Sequence, residues 1–330
     1  MTVSTSSRLA FYSFDNVTTD TENNYPLSGI SSPTYVSGWV GQAISFNYFN
    51  AQFLSASHIP LNLRSFTIDF WFYATNLSTS WDFSFGGENQ SQVFSQCLFL
   101  NIRNGKLFFG FYYADLAGNT NILINQWYHV AFVYDNSTQK QYIYLDGLLD
   151  SSKSQIPLLV TTGAFTVGGA KIAGNTNATV YYSGYIDHFT ISSRAKSACE
   201  VYLDALLACY FTFDSASSLN DSGANFLTAI NTGATLTTGR VNQALQFSSS
   251  LSYITIIGIS ALRSTNTAFT ISMWINPTNV AGGATLIHTS TQPDGNIFNI
   301  FLEYRLVFFV FRSRKLSRYV GFDFDWYCQC

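Results

Sequence analysis

The nine residues Phe66 to Ala74, FTIDFWFYA, return as Phe269 to Pro277, FTISMWINP, with Trp71 and Trp274 at the same place in each. In the first copy Phe66, Ile68, Phe70 and Phe72 fall on one face of a period-two pattern, and Thr67, Asp69, Trp71 and Tyr73 on the other. A helix would scatter these side chains around its circumference, so the pattern predicts a strand. Phe269, Ile271, Met273 and Ile275 repeat the apolar face. Each copy is therefore expected to be a buried central strand, with both tryptophans in the core.

Two further phrases recur in the same order. LAFYSFD, Leu9 to Asp15, returns as ACYFTFD, Ala208 to Asp214, and GWVGQAISF, Gly38 to Phe46, as GRVNQALQF, Gly239 to Phe247. The spacing is 199 residues from Phe14 to Phe213, 201 from Gly38 to Gly239 and 203 from Trp71 to Trp274. A near-constant spacing across separate phrases indicates internal duplication. Asn104-Gly105 between Cys97–Ile102 and Lys106–Tyr113 predicts a tight hairpin, because both turn residues accept positive φ. Its counterpart, Ile300–Arg305 and Leu306–Phe311, has Tyr304-Arg305 at the turn and is expected to turn differently. Trp326-Tyr327 aligns with Trp127-Tyr128, and nothing in the sequence corresponds to residues 129–200. The expected organisation is a complete domain at 1–203 and a second at 204–330 that lacks its closing strands.

Thirty Phe, twenty Tyr and an aromatic content of 17% suit many short strands joined by turns. The one helical stretch expected lies near Ala198 to Ala208, so the fold class is all-β. A net charge of −3 with 11% charged residues gives no field to recruit nucleic acid. The one basic cluster, Arg312, Arg314, Lys315 and Arg318, suits a solvated strand edge or a heparin-like ligand. The most apolar run, Ile297 to Phe311, carries Glu303 and Arg305 and is too short for a transmembrane segment. Glycosylation sequons at Asn16, Asn76, Asn89, Asn136, Asn177 and Asn220 point to an extracellular setting, although the N-terminal residues show no secretory signal. Cys199 and Cys209 are close enough in sequence to bridge or to remain idle thiols.

YSFD, GQAISF, FTIDFWFY, WYHVAFVYD, YIYLDG and GYIDHFTISSRAKSACE, in this order, resemble the concanavalin A-like lectin/glucanase superfamily, in particular its laminin-G-like, pentraxin-like jelly-roll domains. The resemblance covers residues 8–203 fully and 208–327 in part. It implies two tandem concanavalin A-like jelly-roll sandwiches of antiparallel sheets, the second incomplete. Members bind glycans or proteins, often with calcium, and some are glycosidases.

Catalysis is not expected. The E-x-D-x-x-E strand motif of the superfamily's retaining glucanases is missing, and Asp69 is the only acid in FTIDFWFY, where the other copy has Ser272. Asp15 and Asp20 bracket the first loop, and Asp214 and Asp221 its repeat. These four acids either supply a calcium site in each copy or make Asx turns. Asp146-Gly147 suits a hairpin turn, Asp187 a tie to the final strand, and His129 and His188 packed or edge positions in strands. Stacking against a sugar ring would use loop aromatics beside amides, and Trp81, Tyr112 and Tyr113 with Asn89 and Asn119 are the ligand-binding candidates. The expected function is a non-catalytic extracellular module whose partner is a glycan or an extracellular protein. The alternatives are a structural or adhesive spacer and, third, a glycosidase-related domain.

Overall fold

Strand pairing in the computed structural model follows the alternating phrases. It describes residues 7–30, 32–77, 82–89, 93–171, 179–206, 208–214, 219–259, 270–278, 284–289, 298–303 and 306–311. The chain divides into two units, Met1–Phe269 and Thr270–Cys330.

The first unit begins with β1 (Arg8–Tyr12), β2 (Ser28–Ile30), β3 (Thr34–Ser37), β4 (Gln42–Phe46), β5 (Phe53–Ser57), β6 (Phe66–Ala74), β7 (Phe83–Asn89), β8 (Cys97–Arg103) and β9 (Lys106–Gly110). There follow β10 (Asp115–Asn121), β11 (Trp127–Asp135), β12 (Lys140–Leu145), β13 (Leu148–Ser154), β14 (Ala164–Val167), β15 (Gly169–Lys171), β16 (Thr179–Tyr181), β17 (Gly184–Ser192) and α1 (Ala198–Leu206). Sheet one runs β13-β12-β11-β6-β17-β4-β3, with β1 also on β17, and sheet two runs β10-β9-β8-β7-β14-β5-β2. Every pairing within them is antiparallel. β6 lies between β11 and β17 as a central strand, and its apolar face enters the core between the sheets. Facing it are Phe83, Phe85, Leu98, Leu100, Leu107 and Phe109 from sheet two. Burying whole Phe and Leu side chains is worth about 1.5–3 kcal/mol each, which makes this interior the main source of stability.

The outer face of β6 is covered too. Lys196, just before α1, reaches Asp69 Oδ2 at 2.7 Å and Asp204 Oδ2 at 2.9 Å, and all three are buried. Trp71 stacks on Trp39 with centroids 4.1 Å apart, and His129 meets it edge-on. Asp69 is therefore bound to a lysine. Asn104 and Gly105 both have positive φ and close the β8–β9 hairpin, and Asp146 and Gly147 close β12–β13 in the same way. Asp187 Oδ2 accepts the Val40 N–H at 2.9 Å, tying β17 to the loop before β4. Cys209 is a free thiol, so the bridge to Cys199 is not made.

The later part of the first unit repeats the geometry of the earlier part. β18 (Ala229–Thr232) pairs β21 (Tyr253–Ile256) as β2 pairs β5, and β19 (Thr235–Thr238) pairs β20 (Gln243–Gln246) as β3 pairs β4. Phe211 and Phe213 stack at 6.0 Å and 15°, as Tyr12 and Phe14 do at 5.9 Å and 14°. In the second unit β22 (Ala284–Thr289), β23 (Phe298–Glu303) and β24 (Leu306–Phe311) form a meander. Its register shift between Thr285 and Ile287 matches the one between Ser84 and Gly86 in β7.

Two expected strands are not formed. Residues 208–214 and 270–278 lie outside any strand, and Met273, Trp274 and Ile275 are exposed, Trp274 at 76% against 6% for Trp71. The two tryptophans occupy unlike positions. In the first copy β1 pairs with β17, and β6 with β11 and β17. Among the described residues neither repeated phrase is paired to neighbours of that kind. The basic cluster at 312–318 lies outside the described residues.

Candidate functional site

Side chains alternate across β7, β8 and β9, and the ones left over after the core is filled point away from it. Phe83 and Phe85, then Leu98, Leu100 and Ile102, then Leu107 and Phe109, turn inward. Ser84, Phe99, Asn101, Arg103 and Phe108 therefore share the outer face of sheet two. There they line an open cleft of about 330 Å³. Asp82 leads into it, Tyr112, Tyr113 and Asp115 form one wall, and Ala170 and Val180 from the β15–β16 ribbon join the lining. The volume is at the small end of the range for ligand sites.

The wall is held by hydrogen bonds. Tyr112 and Tyr113 both have φ of 64°, a left-handed backbone that costs a non-glycine residue about 1–2 kcal/mol. Phe111 N–H donates to Asp115 Oδ1 at 3.1 Å and to Ala114 O at 3.0 Å, and Ser95 N–H donates to Tyr112 O at 3.0 Å. Burial pushes the Asp115 carboxyl up, against the pull of Arg103 and the loop N–H groups. The two tyrosine rings meet edge to face at 4.5 Å, and Tyr113 is 74% exposed.

On the floor, the Arg103 guanidinium lies 3.9 Å from the centre of the Phe108 ring and donates from Nε and Nη2 to Asp82 Oδ2 at 2.8 Å. The Ser84 hydroxyl donates to Gly86 O. Asn101 is 3% exposed, yet its Oδ1 has no hydrogen-bond partner. Leaving such a group unmet costs about 1–3 kcal/mol, so the site calls for a donor.

Of the residues expected to bind ligand, Tyr112 and Tyr113 line this cleft. Asn119 is elsewhere, with its backbone and amide hydrogen-bonded to Asp150. Trp81 lies outside the described residues, and so does the side chain of Asn89 at the end of β7. Asn101, Arg103 and Phe108 were missed. The alternation Leu98, Leu100, Ile102 would have placed Phe99, Asn101 and Arg103 together on the opposite face.

The four acids considered for calcium are engaged with N–H donors. Asp20 accepts the N–H groups of Phe11, Glu22, Asn24 and Tyr25 at 2.9–3.0 Å. Asp221 repeats this with Tyr210, Gly223 and Leu227. Asp15 accepts the Gln42 N–H at 2.7 Å and Asp214 the Gln243 N–H at 3.0 Å. Calcium needs several oxygens converging on one point. Carboxylates surrounded by N–H donors do not fit that requirement, and among the described residues no group of three or more His, Cys, Asp or Glu is placed to hold a metal. Asp20 and Asp221 make Asx turns with the Glu22 and Gly223 N–H groups, while Asp15 and Asp214 tie their loops to the start of β4 and its repeat.

Comparison with known folds agrees with this topology. The described structure resembles the botulinum neurotoxin serotype C1 binding domain with a TM-score of 0.51 at 11% identity, covering 92% of this chain and 73% of that one. Domain 4 of a GH43 extracellular arabinanase from Geobacillus stearothermophilus, solved with arabinotriose, matches with a TM-score of 0.49 at 20% identity, over 59% of this chain and 97% of that one. The binding domain of Paraclostridial Mosquitocidal Protein 1 gives a TM-score of 0.49 at 15% identity, over 90% and 75%. At 11% identity the first of these likenesses speaks to fold alone. Comparison with curated protein sequences returns no match. Residues 49–202 match a laminin G family of the concanavalin A-like lectin/glucanases superfamily. The match takes in β5 to β17 of the sandwich that carries the cleft.

Proposed function

We propose that this chain is a non-catalytic recognition module that binds a glycan in the cleft on the outer face of sheet two. The observation that carries the reading is one juxtaposition: the aromatic side chains Tyr112, Tyr113 and Phe108 lie beside a buried carboxamide oxygen with no partner. Flat rings take the apolar face of a pyranose, and the unmet oxygen accepts a sugar hydroxyl. The two carboxylates of the cleft are occupied structurally, Asp82 by Arg103 and Asp115 by the Phe111 N–H, which favours binding over acid/base chemistry. Exposed sequons at Asn16 and Asn220 support an extracellular setting. Among the described residues no helix is long and apolar enough to cross a membrane. Within this reading the chain is a tandem, and its second copy repeats the β2–β5, β3–β4 and β7–β8 pairings.

A glycan array probed with the whole chain and with Tyr113→Ala tests the reading. Tyr113 is an exposed loop residue, so its truncation is expected to leave the melting temperature within about 2 °C while reducing glycan binding at least tenfold. Folded protein that binds no glycan, or binds equally well without the Tyr113 ring, would overturn it in favour of a spacer or protein-binding role.

A further inference from the structure

The charges and hydrogen-bonding groups of the cleft restrict what it accepts. An anionic ligand needs an uncompensated cation, and Arg103 is the only Lys or Arg among the described residues of the lining. Its Nε and Nη2 donate to Asp82, and its guanidinium lies over Phe108. Asp115 adds a second carboxyl. Whether Asp115 is ionised or protonated, the described residues of the cleft hold no uncompensated positive charge. A cationic ligand meets a different obstacle, because Arg103 already covers the Phe108 face where cation–π attraction would act.

The hydrogen-bond balance points the same way. Asn101 Oδ1 is an unmet acceptor, whereas the Ser84 hydroxyl is fully buried and donates to Gly86 O. That oxygen calls for a hydroxyl or N–H on the ligand. Resting on the glycan reading above, we propose that the cleft selects a neutral, hydroxyl-rich sugar residue that donates to Asn101 and stacks against Tyr113, and that it discriminates against uronic, sialylated or sulfated glycans. The specificity arises largely from repulsion: an acidic sugar would have to displace Asp82 from Arg103 before finding a counter-charge.

Matched pairs test this on the whole chain. Lactose is titrated against 3′-sialyllactose, and a galactan trisaccharide against trigalacturonate, by calorimetry at low and moderate salt. In any pair that binds, the neutral member is expected to bind at least tenfold more tightly. Asp82→Asn, which releases Arg103 at a half-buried position, should reduce that ratio by raising the affinity for the acidic member. Asn101→Ala should weaken the neutral member tenfold with little effect on the acid-to-neutral ratio. Acidic glycans that bind as tightly as neutral ones, or a ratio unmoved by Asp82→Asn, would overturn the selectivity while leaving the glycan reading intact. Neutral binding that survives Asn101→Ala would show that a water satisfies that oxygen, and would overturn its role as the sugar's acceptor. Absence of binding by every saccharide would instead remove the glycan reading itself, and the selectivity with it.

Discussion

Lys196 shows how much one residue can carry in this molecule. Its ammonium is buried between Asp69 and Asp204. Burial alone would lower its pKa, but the attraction of both carboxylates raises it. Replacing it by methionine leaves two buried carboxylates facing one another, a loss of the kind that costs about 3–5 kcal/mol. Chemical denaturation of Lys196→Met should show that loss at neutral pH and a smaller one in acid, where Asp204, whose pKa burial already raises, takes a proton. His188 gives a second residue-scale prediction. Its Nδ1 lies 2.8 Å from Asp187 Oδ1 and its Nε2 3.0 Å from Asn225 O, so both ring nitrogens face acceptors. Burial opposes the charged ring, but the Asp187 charge and hydrogen bond and the Asn225 carbonyl outweigh it and raise its pKa above 6.5. Arg8 lines the same cavity, and Asp15 adds a further raising charge. Because the folded pKa is the higher one, the stabilisation is complete below about 6.5 and is lost as pH rises through the folded value. The denaturation midpoint should therefore fall between pH 6 and pH 9, and His188→Gln should flatten that dependence. A midpoint independent of pH in the unsubstituted chain would contradict the bridge.

At the scale of elements, the patterns that were legible are those with both halves nearby. β6, β8, β11, β12 and β17 all appear as alternating phrases, and the Asn104-Gly105 turn marks its own hairpin. The short strands β2, β3 and β5 and the β15–β16 ribbon give a period of two too few residues to show itself. The failure of FTISMWINP to form a strand was hidden for another reason. Its pattern is right, but a strand is stabilised by its neighbours, as β6 is by β11 and β17, and a period of two does not show whether such neighbours are in place. Hydrogen exchange should separate the two copies. Amides of β6 are expected to be protected to near the global unfolding free energy, and those of residues 270–278 to exchange as exposed loop. Strong protection across 270–278 would mean that this segment pairs after all. The cleft was half legible for a related reason: the loop aromatics Tyr112 and Tyr113 stand out, while Asn101 and Arg103 are strand residues whose importance depends on which face the core leaves open.

For the molecule as a whole, a jelly roll fixes the scaffold and leaves function to what its outer faces and loops present. Here the presented chemistry is a small aromatic cleft with an unmet acceptor. Because Asp15, Asp20, Asp214 and Asp221 are engaged with backbone N–H groups, glycan binding is expected to be unchanged by a chelator, as calorimetry with and without EDTA would show. The most direct test of the account is hydrogen-exchange footprinting of the whole chain with a saturating neutral oligosaccharide. New protection is expected across β8 and the Phe111–Asp115 loop. Protection on the outer face of sheet one, around Tyr73, Trp127 and Tyr185, with sheet two unchanged, would contradict it.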